Sequence, residues 1–168
     1  MIKNLKIRTK LIVLSFVSLA IALFLGITSI FKLENTNEGL KRVYHDRVLP
    51  LVQLKNIAEA YAVNIVDTAV KLRNDKISFE KCVSNINEAK TIIDKNWNEY
   101  LATSLDDQEK EIVKNTKTIL STANNTTDNI QQACTNKDLE KITSIVMNNL
   151  YETIEPVSNN IAQLMEHQ

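Results

Sequence analysis

Apolar residues follow two patterns along this chain. From Leu11 to Phe31 they run together, 21 positions without a charge or a proline; from Leu51 onward they recur at alternating three- and four-residue steps. The second pattern places apolar side chains on one stripe of a helix. It reads Leu51, Leu54, Ala58, Tyr61, Ile65, Thr68, Leu72, then Phe79, Cys82, Ile86, Ala89, Ile93, Trp97, Tyr100. A third stripe is Ile112, Thr116, Ile119, Ala123, Thr127, Ile130, Cys134, and a fourth is Leu139, Ile142, Val146, Leu150, Ile154, Val157, Ile161, Leu164. The breaks between them carry end signals. Asn74-Asp75-Lys76 closes the first helix. Ser78 is an N-cap with Lys81 at the third helical position, and Asp106 with Glu109 caps the third helix more completely. Thr135-Asn136-Lys137-Asp138 separates the third helix from the fourth. Connections this short force antiparallel neighbours, so the expected fold is all-α, an up-down-up-down four-helix bundle.

The continuous run spans a hydrocarbon core of about 30 Å as one helix at about 1.5 Å per residue. Its polar members Ser15, Ser18, Thr28 and Ser29 are of the kind that return hydroxyls to carbonyls one turn back. A signal peptide has a shorter apolar core, roughly 7 to 15 residues, and a small-x-small cleavage site, absent here before Phe31-Lys32-Leu33. Lys3, Lys6, Arg8 and Lys10 precede the run and no acid appears before Glu34, which puts the N-terminus in the cytoplasm. The expected organisation is a cytoplasmic basic N-terminus (1–10), transmembrane helix (11–31), continuous with the first bundle helix, and an extracytoplasmic domain (32–168). With about 43 residues beyond the membrane in the first helix and about 26 in the second, lengths differ by some 25 Å. The bundle is therefore expected to stand on a stalk of its first and fourth helices. Matching the first helix needs more turns than the fourth has before Gln168, so a truncated protein with a second membrane helix is expected.

Those N-terminal residues take four of the twenty cations, so residues 32–168 carry 16 Lys/Arg against 20 Asp/Glu, a net charge of −4, which points away from nucleic acid. Two glycines and two prolines in 168 residues are too few for the turns of a β-rich fold. His45 and His167 stand apart, without metal-ligand spacing, and are read as exposed surface residues; no cofactor, metal site or catalytic constellation is expected, and no enzyme. Cys82 near the start of the second helix and Cys134 at the end of the third meet at the membrane-distal end. A disulfide and two separate buried thiols are both open, separate thiols being the commoner state. Pro50 and Pro156 lie inside helical patterns and are expected to bend them.

The order of segments resembles the four-helix-bundle sensor region of bacterial methyl-accepting chemotaxis proteins. The residues that carry the likeness are Tyr44-His45-Asp46-Arg47-Val48-Leu49-Pro50-Leu51, Trp97-Asn98-Glu99-Tyr100, Asp106-Asp107-Gln108-Glu109 and Leu150-Tyr151-Glu152-Thr153-Ile154-Glu155-Pro156-Val157. The resemblance implies a transmembrane chemoreceptor: a homodimer packed along the first helix, sensing a small molecule, directly or through a ligand-loaded binding protein. A helix displacement would then carry the signal through the membrane. It directs attention to the polar residues in the distal half of the first helix, Asn64, Asp67, Thr68, Lys71 and Arg73, of which Asn64, Thr68, Lys71 and Arg73 are the candidate ligand contacts. Lys71 and Arg73 suit a carboxylate. No cluster of three arginines marks an aspartate-type site. Competing readings are the sensor region of a histidine kinase or nucleotide cyclase, or a membrane-anchored structural bundle.

Overall fold

The computed structural model describes residues 6–168, which form helices and no strand. Lys3 of the basic flank lies outside the described residues. Contacts divide the chain into two compact units, meeting at Tyr44 and His45.

The N-terminal unit is a single helix, α1 (Ile7–Val43). It holds the one stretch among the described residues that is long and apolar enough to cross a membrane, with a mean hydropathy of 2.6 and none of it buried. Ser18 donates to the Ser15 carbonyl at 2.9 Å, and Thr28 and Ser29 donate to that of Leu25 at 3.1 and 2.7 Å. These hydroxyls are therefore satisfied within the helix, as an apolar surrounding requires.

The second unit is the four-helix bundle. Its first helix is made of α2 (Leu49–Glu59), a π-helical segment (Ala60–Ile65) and α3 (Val66–Arg73). Then come α4 (Phe79–Leu101), α5 (Asp107–Thr135), and a fourth helix made of α6 (Leu139–Asn148) and α7 (Leu150–His167). Packing follows chain order and closes the ring: α2 lies against α4 and α7, α4 against α5, α5 against α6 and α7, and α3 against α6. Cross-links fix the antiparallel senses. Thr68 and Asn56 of the first helix meet Asn85 and Asn96 of α4, while Asn87 and Lys90 of α4 meet Gln131 and Asp128 of α5.

The helix starts follow the capping residues. Ser78 accepts from the Lys81 N–H at 3.2 Å, Asp138 from that of Lys141 at 2.9 Å, and Asp106 with Glu109 forms a reciprocal capping box. At the opposite ends, α3 and α5 stop through left-handed Asp75 (φ 53°) and Lys137 (φ 56°), without a glycine. The Lys76 and Asp138 N–H groups then close six-residue loops onto Lys71 and Ala133 carbonyls.

Burial shifts the stripes in places. Leu54, Ile57, Tyr61 and Ile65 of the first helix are fully buried, with Leu51 and Ala58 on its flank. On α5 the deep positions are Val113 and Leu120, not their neighbours Ile112 and Ile119. Leu139, at the exposed start of α6, lies outside the core. The three heptads of the first helix conceal a change of pitch. Ile57, Tyr61 and Ile65 are spaced by two consecutive steps of four, whereas two α-turns need about 7.2 residues; the wider π-turn over Ala60–Ile65 absorbs the excess.

Prolines act differently at the two sites. Pro50, which has no N–H to donate, sits in the first turn of α2, and a π-helical segment (Tyr44–Val48) immediately precedes that helix. At Pro156 the helix continues; the interruption falls at Asn149 (φ −129°), after Asn148, where helix propensity is low.

Candidate functional site

The seam between the first bundle helix and α4 is polar at two levels. Asn56 Nδ2 donates to Asn96 Oδ1 at 3.0 Å, and Asn96 Nδ2 to the Ile92 carbonyl at 2.7 Å. Farther along, Asn85 Nδ2 donates to Thr68 Oγ1 at 3.1 Å. Between them the seam opens. A cavity of about 350 Å³ is bounded by Asn56, Glu59, Ala60, Thr91, Lys95 and Asn96, and one of about 190 Å³ by Val63, Asp67, Thr68, Asn85 and Glu88. Asn64 lines both, so the two lie next to each other at the π-helical segment as the two parts of a groove along the seam.

The four candidate contacts separate into two pairs. Asn64 and Thr68 meet in the groove. Lys71 lies outside it, paired with Asp67 at 2.5 Å, and Arg73 ends α3, donating to Asn74 Oδ1 and to Met147 Sδ at 3.2 and 3.5 Å. Lys71 and Arg73 thus form no shared carboxylate clamp with Asn64 and Thr68. Sequence reasoning passed over Asn56, Asn85 and Asn96. Asn96 had a signal: it stands three residues after Ile93 and four before Tyr100, within an apolar stripe, and is 8 % exposed.

The seam between α4 and α5 is tied more strongly. Cys82 and Cys134 are joined by a disulfide, with Cα atoms 6.1 Å apart, rather than standing as separate thiols. Next to it Lys137 meets Glu80 at 2.9 Å, and that ammonium's hydrogen bond holds the Glu80 carboxyl down at about 2. Mid-seam, Lys90 meets Asp128 at 2.6 Å and Gln131 at 2.9 Å, while Gln131 donates to Asn87 at 2.5 Å. Across the core, the buried Tyr61 phenol donates to Asn124 Oδ1 at 2.5 Å. Burial raises its pKa, with Asp94 and Asp128 adding repulsion.

At the other end of the bundle, buried Glu109 accepts from the Tyr100 hydroxyl at 3.4 Å, from the Asp106 N–H at 2.8 Å and from Gln168. His167 is not a lone surface residue: its Nε2 lies 2.8 Å from Asp106 Oδ2. Asp106 has its pKa lowered by the backbone N–H of Glu109 first and by His167 next. Among the described residues no three His, Cys, Asp or Glu side chains are grouped to hold a metal.

Residues 4–168 match the family of four-helix-bundle sensory modules for signal transduction. The chain belongs to that family. It is also 29 % identical over 167 residues to the methyl-accepting chemotaxis protein NahY of Pseudomonas putida, an alignment covering 96 % of this chain and 30 % of that protein. The chain thus spans less than a third of the relative's length. No solved structure matches it. The family is a sensory module for signal transduction and the relative a chemotaxis protein, and the π-helical segment Tyr44–Val48 falls within the Tyr-x-Asp-Arg-Val-x-Pro segment that carried the resemblance.

Proposed function

We propose that this chain is the ligand-sensing part of a membrane-anchored chemoreceptor, with α1 crossing the membrane over residues 11–31, its N-terminus cytoplasmic, and the bundle outside the cell. The observation that carries the sensing role is the groove at the π-helical segment, where Asn64 lines both cavities. A small molecule there touches the first bundle helix and α4 together, so its binding energy depends on how the two are placed. That is the differential interaction a ligand needs to shift an equilibrium between two arrangements. A helix packed along its length transmits a small displacement without unfolding.

A homodimer through the first bundle helix is favoured by its outer face. Val52 and Val63 are exposed there, as is Val48 just before it, and Val66 and Val70 are half-buried. Glu59 and Lys55 interrupt this stripe as an exposed i, i+4 pair at 3.0 Å. Val63 also lines the distal cavity, so the groove borders the proposed interface. The relative's name favours a chemotaxis output over a histidine kinase or nucleotide cyclase.

The test is intersubunit crosslinking of V63C in membranes, with the rate followed across amino acids, organic and aromatic acids, purines, amides and polyols. Dimers should form, and at least one compound should change the rate at least two-fold. Efficient crosslinking with a flat rate across the whole panel counts against direct sensing.

A further inference from the structure

The rim and the floor of the groove differ in chemistry. On the rim, Glu59 is matched by Lys55 at 3.0 Å and Asp67 by Lys71 at 2.5 Å. The remaining lining charges, Lys95 in one cavity and Glu88 in the other, are of opposite sign. The floor is neutral: carboxamides of Asn56, Asn64, Asn85 and Asn96, and the Thr68 hydroxyl.

Two of these groups have unused capacity. The Asn64 carboxamide, two donors and an acceptor, makes no hydrogen bond to a described side chain although it is half-buried. Thr68 is 3 % exposed, and the bond it makes is one it accepts, from Asn85. Thr116 and Thr127, equally buried, instead donate to carbonyls four residues back at 2.8 Å. A buried donor without an acceptor is costly, and this one sits on the wall of a cavity.

Building on the sensing role, we infer that the groove takes a small uncharged solute able both to donate and to accept hydrogen bonds, an amide or a polyol, held between Asn64 and Thr68. A carboxylate beside Thr68 would face Asp67 and Glu88, with no lysine lining that cavity and Lys71 already paired with Asp67. An ammonium would leave the Thr68 donor unmatched. A flat aromatic acid would find only Ala60, Ile92 and Val63 as apolar walls. An amide or polyol supplies the acceptor Thr68 lacks and uses both faculties of Asn64.

The experiment is an NMR titration of the labelled chain in detergent micelles with acetamide, glycerol, acetate and methylammonium. Acetamide or glycerol should shift the Asn64 carboxamide and the Thr68 amide saturably, with at least ten-fold higher affinity than either ion. N64L and T68V should each lower that affinity at least ten-fold. N64Q should retain more of it, and Asn129→Ala, outside the groove, should keep it unchanged. Unperturbed spectra elsewhere establish that the variants fold. Equal or tighter binding of acetate or methylammonium in the groove overturns the ligand class and leaves the sensing role standing. Saturable shifts confined to another face overturn the site. No saturable shift with any probe overturns the inference outright, and the crosslinking rates then decide the sensing role separately.

Discussion

The two seams made by α4 are built on different principles. Toward α5 it is held by a disulfide, by Lys137–Glu80 and Lys90–Asp128 ion pairs, and by the Asn87–Gln131 bond. Toward the first bundle helix it is held by apolar packing with two neutral side-chain bonds, and the intervening space is a groove. Non-directional apolar contacts allow small sliding that a covalent bridge forbids. In the proposed displacement the α4–α5 hairpin is therefore the frame, and the first bundle helix, which leads back in sequence to α1, is the element that shifts against it.

The largest expected effect comes from the apolar side of the comparison. Leu54→Ala, at a fully buried position on α2, should cost about 2–5 kcal/mol in urea unfolding. Next, reducing Cys82–Cys134, or replacing both with serine, should cost about 2–4 kcal/mol, since the bridge closes a loop with a sequence separation of 52. Asn56→Ala should cost about 1 kcal/mol, because Asn96 loses the partner of its buried carbonyl oxygen. A cost as large as that of losing the disulfide would contradict the contrast between the seams.

Acid should act on the α4–α5 seam through Glu80. Its folded pKa, about 2, lies below its ordinary 4.5, so the contribution is present above the higher value and is lost as pH falls from 4.5 toward 2. A thermal-midpoint series over that range should flatten in Glu80→Gln. The effect is small, because both partners are exposed and salt screens them. Smallest of all, Asp75→Gly, relieving a left-handed non-glycine residue, should raise stability by less than about 1 kcal/mol.

Local signals were legible where a side chain meets its own backbone. Ser78 and Asp106 each start a helix with the cap their chemistry permits, and Asp138, read only as the end of a break, caps α6 as well; the four stripes gave the bundle. What escaped has physical reasons. Ile112 and Val113, like Ile119 and Leu120, are adjacent apolar pairs, and a seven-residue repeat does not tell which member points deeper. The π-turn hides because steps of four are ordinary in a heptad reading. Asn149 follows Asn148, and such a polar pair is what an exposed helix face would also show. Of the five polar residues on the floor of the candidate site, two were visible, Asn64 and Thr68, as polar residues on the first helix. Asn85 and Asn96 belong to another helix, and only the antiparallel register brings them opposite. His167 and Asp106 are 61 residues apart, beyond any local pattern.

Native-state hydrogen exchange of the whole chain tests the contrast most directly, because it reads the opening of each segment without a ligand. The backbone amides of Ala60–Ile65, on the π-turn beside the groove, are predicted to exchange at least about ten-fold faster than those of residues 123–130, the stretch of α5 that includes the Lys90 partner Asp128. Equal protection in the two segments, or greater protection at Ala60–Ile65, would contradict a movable first helix on a fixed α4–α5 frame.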